Sequence, residues 1–410
     1  MPIRVLYVFP GMDAPPKDPA FAEMAHVSGD ITVDMLLPLK DKTPENLHRD
    51  LGDGSYPTYK VNNLTYHLFL AGRYELGTFR QKFAILWFQL SEGLRLSRRL
   101  RFDCVMGYNW GLAGLVAFFL SRLLRAKLII RLANVPENAY RFNQFGQSWH
   151  YSAKVNLKTR LARWVSDVLL RVLVLSSDRL HLLYPDQLKL YPQLQKVPFN
   201  ILPVFTAVSR IPYTGISDHS ILLVGGPWYL KGVDVLIRAF RKIEPEFPNW
   251  KLRLLGYFPD EHLLREMIGD SRRIEILKAR PNPEAVKIIA DCSVLVLASR
   301  SESAGRVLVE GMAAGKPLIG SRVGGVPQYV RDGVNGFLFE SENSDDLSEK
   351  LRIMLSSPEL RASMGQTGRR MAKTQYTAEV WGRKMQEMIE LAVNGRTTTI
   401  TSEPTANVPS

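Results

Sequence analysis

The chain has 410 residues, of which 46% are hydrophobic, 23% are charged and two are cysteine, and its net charge is +13. This length and balance are typical of a globular protein with two or three domains. The longest apolar run, 111–120, has half of the roughly 20 residues that cross a bilayer, and we expect no signal peptide. Cys104 and Cys292 lie in strand-like runs, and the seven histidines show no metal-ligand spacing. The composition therefore excludes a disulfide framework and predicts a cytoplasmic protein without a metal centre.

The positive charge is concentrated in the first half of the chain. Residues 51–200 hold 21 Lys and Arg against 8 Asp and Glu, so the rest of the chain is nearly neutral. Such an asymmetry indicates an anionic partner for the first half. The alternative is a set of solvated helix faces with a basic bias, and the sequence alone leaves both open.

Short apolar runs alternate with helical stretches along the chain. In the first half, the runs lie at 3–9, 31–37, 64–70, 103–108, 126–132 and 171–177. In the second half, they lie at 220–226, 251–256, 273–277, 293–299 and 316–321, and amphipathic helices are predicted at 233–243, 261–269, 283–292 and 306–314. Buried strands that alternate with amphipathic helices are typical of parallel sheets built from βαβ units. We therefore predict an α/β chain with two doubly wound, Rossmann-like domains.

The domain boundaries are placed where this alternation stops. The segment 205–217 has no clear period and separates the two series. We place the first domain at 1–205 and the second at 206–376. A last helix is predicted at 377–394, packing back on the first domain, and the Ser- and Thr-rich tail, 395–410, is expected to be disordered.

An aromatic and basic helix is predicted within 78–102. Its apolar residues are Phe79, Phe83, Leu86, Trp87 and Leu90, and its basic residues are Arg80, Lys82, Arg95, Arg98, Arg99 and Arg101. Aromatic and basic residues on one amphipathic helix are typical of a helix that lies on a membrane surface. The alternative is a helix packed on the core and followed by a solvated basic stretch. Nucleic acid is a weaker alternative because no nucleic-acid-binding motif is present.

The segment 301–317, SESAGRVLVEGMAAGKP, contains two glutamates eight residues apart. On one helix, Glu302 and Glu310 would be about 12 Å apart along the axis, farther than the roughly 5–9.5 Å between paired glycosidase carboxyls. We therefore expect them to contact different parts of one ligand. The turn at 300–304 and Gly305 precede a predicted helix, whose first amides and positive dipole end favour a phosphate. Glu302 then faces the group attached to that phosphate and Glu310 a diol such as ribose, which matches a nucleoside diphosphate sugar.

Three sequence elements together resemble a known family. They are Glu302…Glu310 followed by GMAAGKP (311–317), the double-glycine turn in VGGVPQYVRDGVNGFLF (323–339), and the strand–loop–Lys-Gly–helix element LLVGGPWYLKGVDVLIRAF (222–240). Together they resemble the retaining GT-B-fold glycosyltransferases of family 4, the group 1 type. The resemblance is specific over about 220–340 and only architectural over 1–205. It implies two Rossmann-like domains facing each other across a cleft, the first binding the acceptor and the second the nucleotide sugar.

The resemblance implies roles for single residues. Lys231 would contact the donor diphosphate, Glu302 the hydroxyls of the sugar, and Glu310 the ribose. The loop Gly225-Gly226 and the turn Ser303-Ala304-Gly305 would approach the ligand with their backbone. The resemblance also implies transfer with retention of the anomeric configuration and without a cofactor or metal.

The chain departs from the family on the donor side. The family's loop commonly carries an arginine where Gly226 stands, so one diphosphate cation is missing, which Arg306, Arg280 or Arg322 could replace. An aromatic residue often stands at the position of Ala304. These differences leave the source of the second cation open.

The acceptor side resembles the family less. A histidine often follows the strand that corresponds to 126–132, where this chain has Ala133 and Asn134. Of the glycine loop after the first strand, only Gly11 remains. Asn109 and Trp110 follow another strand and are candidates for the acceptor site, with a packing role as the alternative.

We therefore expect a nucleotide-sugar-dependent, hexosyl-type glycosyltransferase of polysaccharide or glycolipid synthesis. Its partners would be a nucleotide-sugar donor, a glycan or lipid-linked acceptor and an anionic membrane surface bound by the basic first half, but no nucleic acid. It would work in the cytoplasm, either dissolved or attached to the inner membrane face. The alternative is a non-catalytic GT-B-like binding or partner subunit, which Gly226 and Ala133 motivate and which Lys231, Glu302 and Glu310 disfavour.

Overall fold

The computed structural model describes residues 2–12, 22–27, 30–40, 47, 56–72, 74–75, 77–133, 157–214, 219–258 and 261–395. These residues form two compact units, the first drawn from 2–133, 157–203 and 378–395 and the second from 204–377. The predicted boundaries lay at 205 and 376. The tail predicted to be disordered falls outside the described residues except for Gly395.

The first unit is built on a sheet of eight strands. Their order is β3-β4-β2-β1-β5-β6-β7-β8, and only β3 and β4 pair antiparallel. The chain moves outward from β1 in one direction and then continues from β5 on the other side of β1. The strands are β1 Ile3–Val8, β2 Ile31–Leu39, β3 Thr58–Val61, β4 Leu64–Leu70, β5 Cys104–Tyr108, β6 Lys127–Leu132, β7 Arg179–Leu182 and β8 Phe199–Ile201.

Three helices of this unit share one apolar core with strands β1, β5, β6 and β7, so they cover the same face of the sheet. They are α1 Phe79–Ser97, α2 Leu112–Leu124 and α3 Leu157–Leu175. A short helix, α4 Gln187–Leu190, follows β7. The last helix of the chain, Ala378–Val393, also belongs to this unit, where it contacts β5, β6 and the 3-10 turn Glu23–His26.

The strand predicted at 171–177 is wrong. These residues lie in the last turns of α3 and the loop after it, and the strand is β7, Arg179–Leu182. Leu173 and Val174 are buried while Val172 and Leu175 are exposed, which is a helical and not an alternating pattern. A short apolar run such as RVLVL has no period of its own, so neighbouring residues decide its structure.

The second unit is built on six parallel strands in the order β11-β10-β9-β12-β13-β14. They are β9 Ser220–Val224, β10 Lys251–Gly256, β11 Ile274–Lys278, β12 Val294–Leu297, β13 Leu318–Ser321 and β14 Gly336–Phe339. The helices are α5 Val233–Ile243, α6 Glu261–Ile268, α7 Asn282–Asp291, α8 Arg306–Ala313, α9 Val326–Tyr329, α10 Ser344–Ser356 and α11 Pro358–Gln375, and we call the final helix Ala378–Val393 of the first unit α12.

Helices cover both faces of the second sheet. One core contains side chains of α5, α6 and α10, and the other contains side chains of α7, α8 and α9. The predicted fold class, an α/β chain with two doubly wound sheets, is therefore confirmed. In the second sheet the chain runs from β9 outward to β11 and then returns to β12 on the other side of β9. At such a reversal the loops that follow the two neighbouring strands, β9 and β12, lead to opposite faces of the sheet. Ligands of doubly wound sheets bind in the crevice between these loops.

Candidate functional site

The candidate site lies at the carboxyl ends of β9 and β12, where the strand order of the second unit reverses. The loop after β9 leads to Lys231 and Gly232, and the loop after β12 leads to Glu302 and α8. Gly232 has a φ of +63°, and a Cβ there would lie 1.9 Å from the carbonyl oxygen of Ala298. The glycine after Lys231 therefore lets the two loops touch.

Lys231 and Glu302 form an ion pair at this point. The Nζ atom of Lys231 lies 2.6 Å from Oε2 of Glu302, and the Ser299 hydroxyl donates to the same oxygen at 3.3 Å. Burial raises the pKa of Glu302. The Lys231 ammonium and the amides of Gly305 and Ala304 lower this pKa by more than burial raises it, so the net pKa lies below its ordinary value. The pair therefore holds one full negative and one full positive charge next to the start of α8.

The turn Ser303-Ala304-Gly305 connects Glu302 to α8. The amide of Gly305 donates to Oε1 of Glu302 at 3.2 Å, and Gly305, with a φ of +53°, is the residue before the first helical turn. The carboxylate of Glu302 therefore occupies the amide-rich end of the helix, where an anion is stabilised. A ligand with a phosphate or hydroxyl groups could accept hydrogen bonds from these same amides.

The double-glycine turn, Gly324-Gly325, contacts the backbone of Glu302. The amide of Gly325 donates to the backbone carbonyl of Glu302 at 3.0 Å. Gly324 has a φ of +49°, and a Cβ there would lie 1.9 Å from the same carbonyl oxygen. This turn therefore fixes the backbone of Glu302, a role that the sequence left undecided between a plain turn and a part of the site.

Glu310 lies on α8, one turn beyond Arg306, and is largely buried. The side-chain amide of Asn282 donates to Oε1 of Glu310 at 3.0 Å. Burial raises the pKa of Glu310, and the Asn282 hydrogen bond and the Arg306 charge oppose the rise without cancelling it. Asn282 was missed from the sequence, where the only signal was a polar residue at the start of a predicted helix.

Arg300 contacts residues on both sides of Lys231, and the sequence analysis did not identify it. Its guanidinium donates to both carboxylate oxygens of Asp234, at 2.7 and 2.8 Å, and to the carbonyl of Tyr229 at 2.6 Å. It also stacks 3.9 Å above the centre of the Tyr229 ring. An arginine after a buried strand carries no sequence signal for such a bidentate contact, so only the tertiary structure reveals it.

Gly225 and Gly226 line the loop before Lys231. Gly225 has a φ of +131°, and a Cβ there would lie 3.1 Å from Cε of Lys231. At Gly226 a Cβ would lie 2.6 Å from the carbonyl oxygen of Tyr257. The backbone at Gly226 therefore has no room for the arginine that the resembling family commonly carries there.

Three arginines were considered as the missing cation, and the structure separates them. Arg322 is paired with Glu340 at 2.9 Å and Asp332 at 3.5 Å. Arg280 is more than half exposed, 3.9 Å from Glu284. Arg306 is the first residue of α8 and is close enough to Glu310 to lower the pKa of that carboxyl. Of the three, Arg306 is the one on α8, the helix that Glu302 precedes and that carries Glu310.

The acceptor-side candidates lie in the first unit. Gly11, with a φ of +116°, follows β1, and a Cβ there would lie 2.8 Å from the carbonyl of Pro38. Asn109, with a φ of +60°, follows the adjacent β5 and accepts the amide of Ala133 at 2.7 Å. Trp110 is buried in the core and donates through Nε1 to Ser166 at 2.7 Å, contacts that favour the packing role that the sequence left as the alternative. Asn134 lies outside the described residues.

Groups of three or more His, Cys, Asp and Glu side chains that could hold a metal ion are not found among the described residues. The same part of the chain has no helix that is long and apolar enough to cross a bilayer.

The raised pKa of Glu310 predicts a pH-dependent affinity for the nucleotide ligand that the sequence resemblance implies. We expect binding of a nucleoside diphosphate to weaken on acidification, starting at a higher pH than an ordinary glutamate would cause, because the pKa of Glu310 is raised and its protonated form loses acceptor capacity. Calorimetry in two buffers of different ionisation enthalpy should show proton release on binding near that pKa. Glu310→Gln should abolish the proton release, and the exposed Glu266→Gln should not. An affinity independent of pH in the wild-type protein would contradict this role.

Most of the second unit is similar to a known protein family. Residues 218–371 match the profile described as Glycosyl transferases group 1. The chain is 38% identical over 157 residues to the glycosyltransferase MJ1178 of Methanocaldococcus jannaschii, which covers 37% of this chain and 42% of that protein. It is 34% identical over 184 residues to the D-inositol 3-phosphate glycosyltransferase of Thermobifida fusca, covering 41% and 42%. The chain thus spans about two fifths of the length of these relatives.

Solved structures match almost the whole chain at low identity. Sucrose-phosphate synthase of Thermosynechococcus elongatus has a TM-score of 0.72 at 16% identity, covering 94% of this chain and 98% of that one. HepE of Anabaena in complex with UDP-glucose has a TM-score of 0.66 at 15% identity, covering 95% and 99%. At these identities the likeness concerns the fold, which is that of GT-B glycosyltransferases. Residues 218–371 are therefore similar to glycosyltransferase group 1 domains, and the chain has the fold of GT-B glycosyltransferases.

Proposed function

We propose that the protein transfers a hexosyl group from a nucleotide-diphosphate sugar to an acceptor hydroxyl. The observation that carries this proposal is the ion pair of Lys231 and Glu302, 2.6 Å long, at the amino end of α8. A cation, a carboxylate and helix amides at the reversal point of a doubly wound sheet suit a diphosphate and the sugar attached to it. Glu310, farther along the same helix, suits the ribose diol.

In the proposed reaction the protein acts mainly on the leaving group. As the bond from the anomeric carbon to the diphosphate breaks, negative charge grows on the phosphate oxygens, and Lys231, Arg306 and the α8 dipole stabilise it. The acceptor hydroxyl attacks from the same face, so the configuration is retained, and its proton passes to the departing diphosphate. Glu302 orients the sugar through its hydroxyls. The positive charge comes from side chains and helix amides, so this proposal requires no metal ion and no cofactor.

The donor and acceptor classes are part of the proposal. The complex of HepE with UDP-glucose makes a uridine nucleotide sugar the first donor to test. The acceptor is a glycan or a lipid-linked glycan of polysaccharide or glycolipid synthesis, and we assign its binding to the first unit. Cys104 and Cys292 are both buried as thiols, which agrees with the reducing conditions of the cytoplasm, where we place the reaction.

A donor screen tests this proposal. The purified full chain is examined by thermal shift and by slow hydrolysis against UDP-, GDP-, ADP- and dTDP-sugars. We expect one nucleotide class to raise the melting temperature, because a ligand that binds only the folded state stabilises it, and to release nucleoside diphosphate slowly. NMR of the product then gives the anomeric configuration, which we expect to equal that of the donor.

Two variants make the screen specific. Glu310→Ala should lose the thermal shift, and Glu266→Ala, an exposed glutamate of α6, should keep it. Stabilisation by one class without any turnover, even with glycan acceptors present, would favour a binding subunit over an enzyme. A shift that survives in Glu310→Ala would contradict the assigned ribose contact.

A further inference from the structure

Large apolar side chains cover the outer side of α1, α2 and α3 in the first unit. Trp87 is 66% exposed, Leu123 64% and Trp164 63%. Other exposed apolar residues of these helices are Phe79, Phe83, Leu94, Leu112, Phe119, Leu161, Val165, Val168, Val172 and Leu175. Monomeric soluble proteins rarely expose so many large apolar side chains together, and where they do the surface usually binds something.

These side chains are additional to the core. α2 buries Val116 and Leu120, and α3 buries Leu170 and Leu173, all in the core shared with the sheet. The exposed residues therefore lie on the opposite sides of helices whose inner sides are already apolar. The exposed large apolar residues of the described second unit, Tyr213, Tyr257, Val334 and Ile353, belong by contrast to separate elements.

The three helices make one continuous surface, which we call the outer helical face. α1 packs on α2, and α2 packs on α3. Beside α1 there is an open groove of about 470 Å³, lined mainly by aromatic residues of α1 and β4 and by Arg80. This surface is thus a broad apolar area with a recess at one side.

The charge of the outer helical face is strongly positive. By sequence the three helices contain eight basic and two acidic residues. Of the acidic ones, Glu92 is 2.5 Å from Arg95 and 3.4 Å from His67, and Asp167 is half-buried. Exposed arginines follow at the ends of α1 and α2: Arg98, Arg99, Arg101 and Arg125. The rim of the apolar area is therefore mainly basic, since neither acidic side chain within the three helices is fully exposed where the structure describes it, although Glu75 before α1 is exposed.

The combination of an apolar area and a basic rim favours one kind of binding partner for the outer helical face. A second copy of the chain, paired about a two-fold axis, would place arginines opposite arginines over the same surface. Lipid phosphates would instead pair with the basic rim while the aromatic and aliphatic side chains enter the boundary of the acyl chains. We propose that the outer helical face docks the first unit on an anionic lipid bilayer. The docking goes beyond sugar transfer and does not depend on it.

Vesicle flotation of the full chain, without any nucleotide sugar, tests the proposal. We expect binding to phosphatidylcholine vesicles that contain phosphatidylglycerol, with an affinity that falls as salt is added. Vesicles of phosphatidylcholine alone should bind much more weakly. Because no donor is present, a failure here leaves the transferase proposal intact, and a failed donor screen leaves docking intact.

Paired variants separate charge, apolar contact and misfolding. Arg98→Glu with Arg99→Glu should weaken binding roughly tenfold or more, since each basic residue near an anionic surface contributes substantially. The control is Arg370→Glu with Lys373→Glu, an equal charge change on exposed residues of α11. Trp164→Ser should weaken binding, and Ile353→Ser, an exposed apolar residue of α10, should not. Circular dichroism confirms that each variant is folded.

Three results would overturn the docking proposal. The first is a folded wild-type chain that does not float with anionic vesicles at low salt. The second is equal binding to neutral vesicles, which would remove the role of the basic rim. The third is a dimer in light scattering that Trp164→Ser dissociates, which would make the outer helical face an interface between copies.

Discussion

Lys231→Ala is expected to lower kcat by about 10²–10³-fold, the loss seen when one preorganised donor to a developing anion is removed. The reason is that Lys231 is the cation held 2.6 Å from Glu302 at the end of α8 where the leaving diphosphate would lie. The rate of nucleoside diphosphate release at saturating donor measures kcat directly. The Tm should fall as well, because the Lys231 side chain is only 19% exposed and its loss leaves the largely buried Glu302 carboxylate without its cation.

The same variant should change the pH profile of the residual activity. The Lys231 ammonium is the main influence that lowers the pKa of Glu302 against its burial. Without it the burial penalty remains, so the carboxyl becomes protonated at a higher pH, and activity should be lost earlier on acidification than in the wild-type protein.

Lys251→Ala is the matched control for Lys231→Ala. Lys251 is also a lysine of the second unit in an ion pair, 3.1 Å from Glu275, but it begins β10 at the amino edge of the sheet. It should keep wild-type kcat and pH profile. An unchanged kcat in Lys231→Ala, with full folding, would contradict the role assigned to the lysine and favour a non-catalytic subunit.

Gly324→Ala should lower kcat by roughly 10²-fold, because a displacement of about 1 Å at a positioned group can cost that much. The new Cβ would lie 1.9 Å from the carbonyl oxygen of Glu302, so the backbone that carries the carboxylate must move. The free energy of unfolding should fall as well, by about 1–2 kcal/mol for the left-handed backbone alone. Steady-state kinetics and urea unfolding measure the two effects.

Gly333→Ala separates backbone strain from displacement of Glu302. Gly333 also has a positive φ, +74°, but a Cβ there would meet no atom within 4 Å. It should lose a similar 1–2 kcal/mol of stability and keep its kcat. Equal kcat losses in both variants would mean that the double-glycine turn acts on stability and not on the position of Glu302.

The elements of the second unit could be predicted because each has a strong local pattern. The helix at 233–243 has the predicted bounds, the one predicted at 283–292 is shifted by one residue, and the one predicted at 306–314 ends one residue earlier. Strand 171–177 failed because an apolar run that short fits a strand and a helix equally well. Periodicity thus predicts long elements and misjudges short ones.

The loops that carry Lys231 and Glu302 and the helix that carries Glu310 could be predicted from motifs, but the residues that position these three side chains could not. Arg300 contacts Asp234 across 66 residues, and Asn282 contacts Glu310 across 28. Neither pair has a spacing rule, since partners brought together by a sheet leave no local pattern. The sequence therefore predicts the residues that would meet a ligand better than the residues that hold them.

The first unit shows the same limit more strongly. Trp110 follows a strand end in the sequence, as a ligand-contacting residue would. In the structure its indole N–H donates to Ser166, 56 residues away, from inside the core. The helix α3 was likewise missed in the sequence, because its last residues were interpreted as a strand at 171–177.

The ion pair of Lys231 and Glu302 also affects which ligands the site should accept. A diphosphate alone would pair with Lys231 and leave the largely buried Glu302 carboxylate without its cation. A sugar alone would bind Glu302 and leave Lys231 without its carboxylate. An unpaired buried charge is costly, so either fragment binds against a penalty that the other would relieve. A ligand that carries both groups satisfies both charges at once. The diphosphate and the sugar would then bind cooperatively: the affinity for the intact donor would exceed what the separate affinities for its two halves predict.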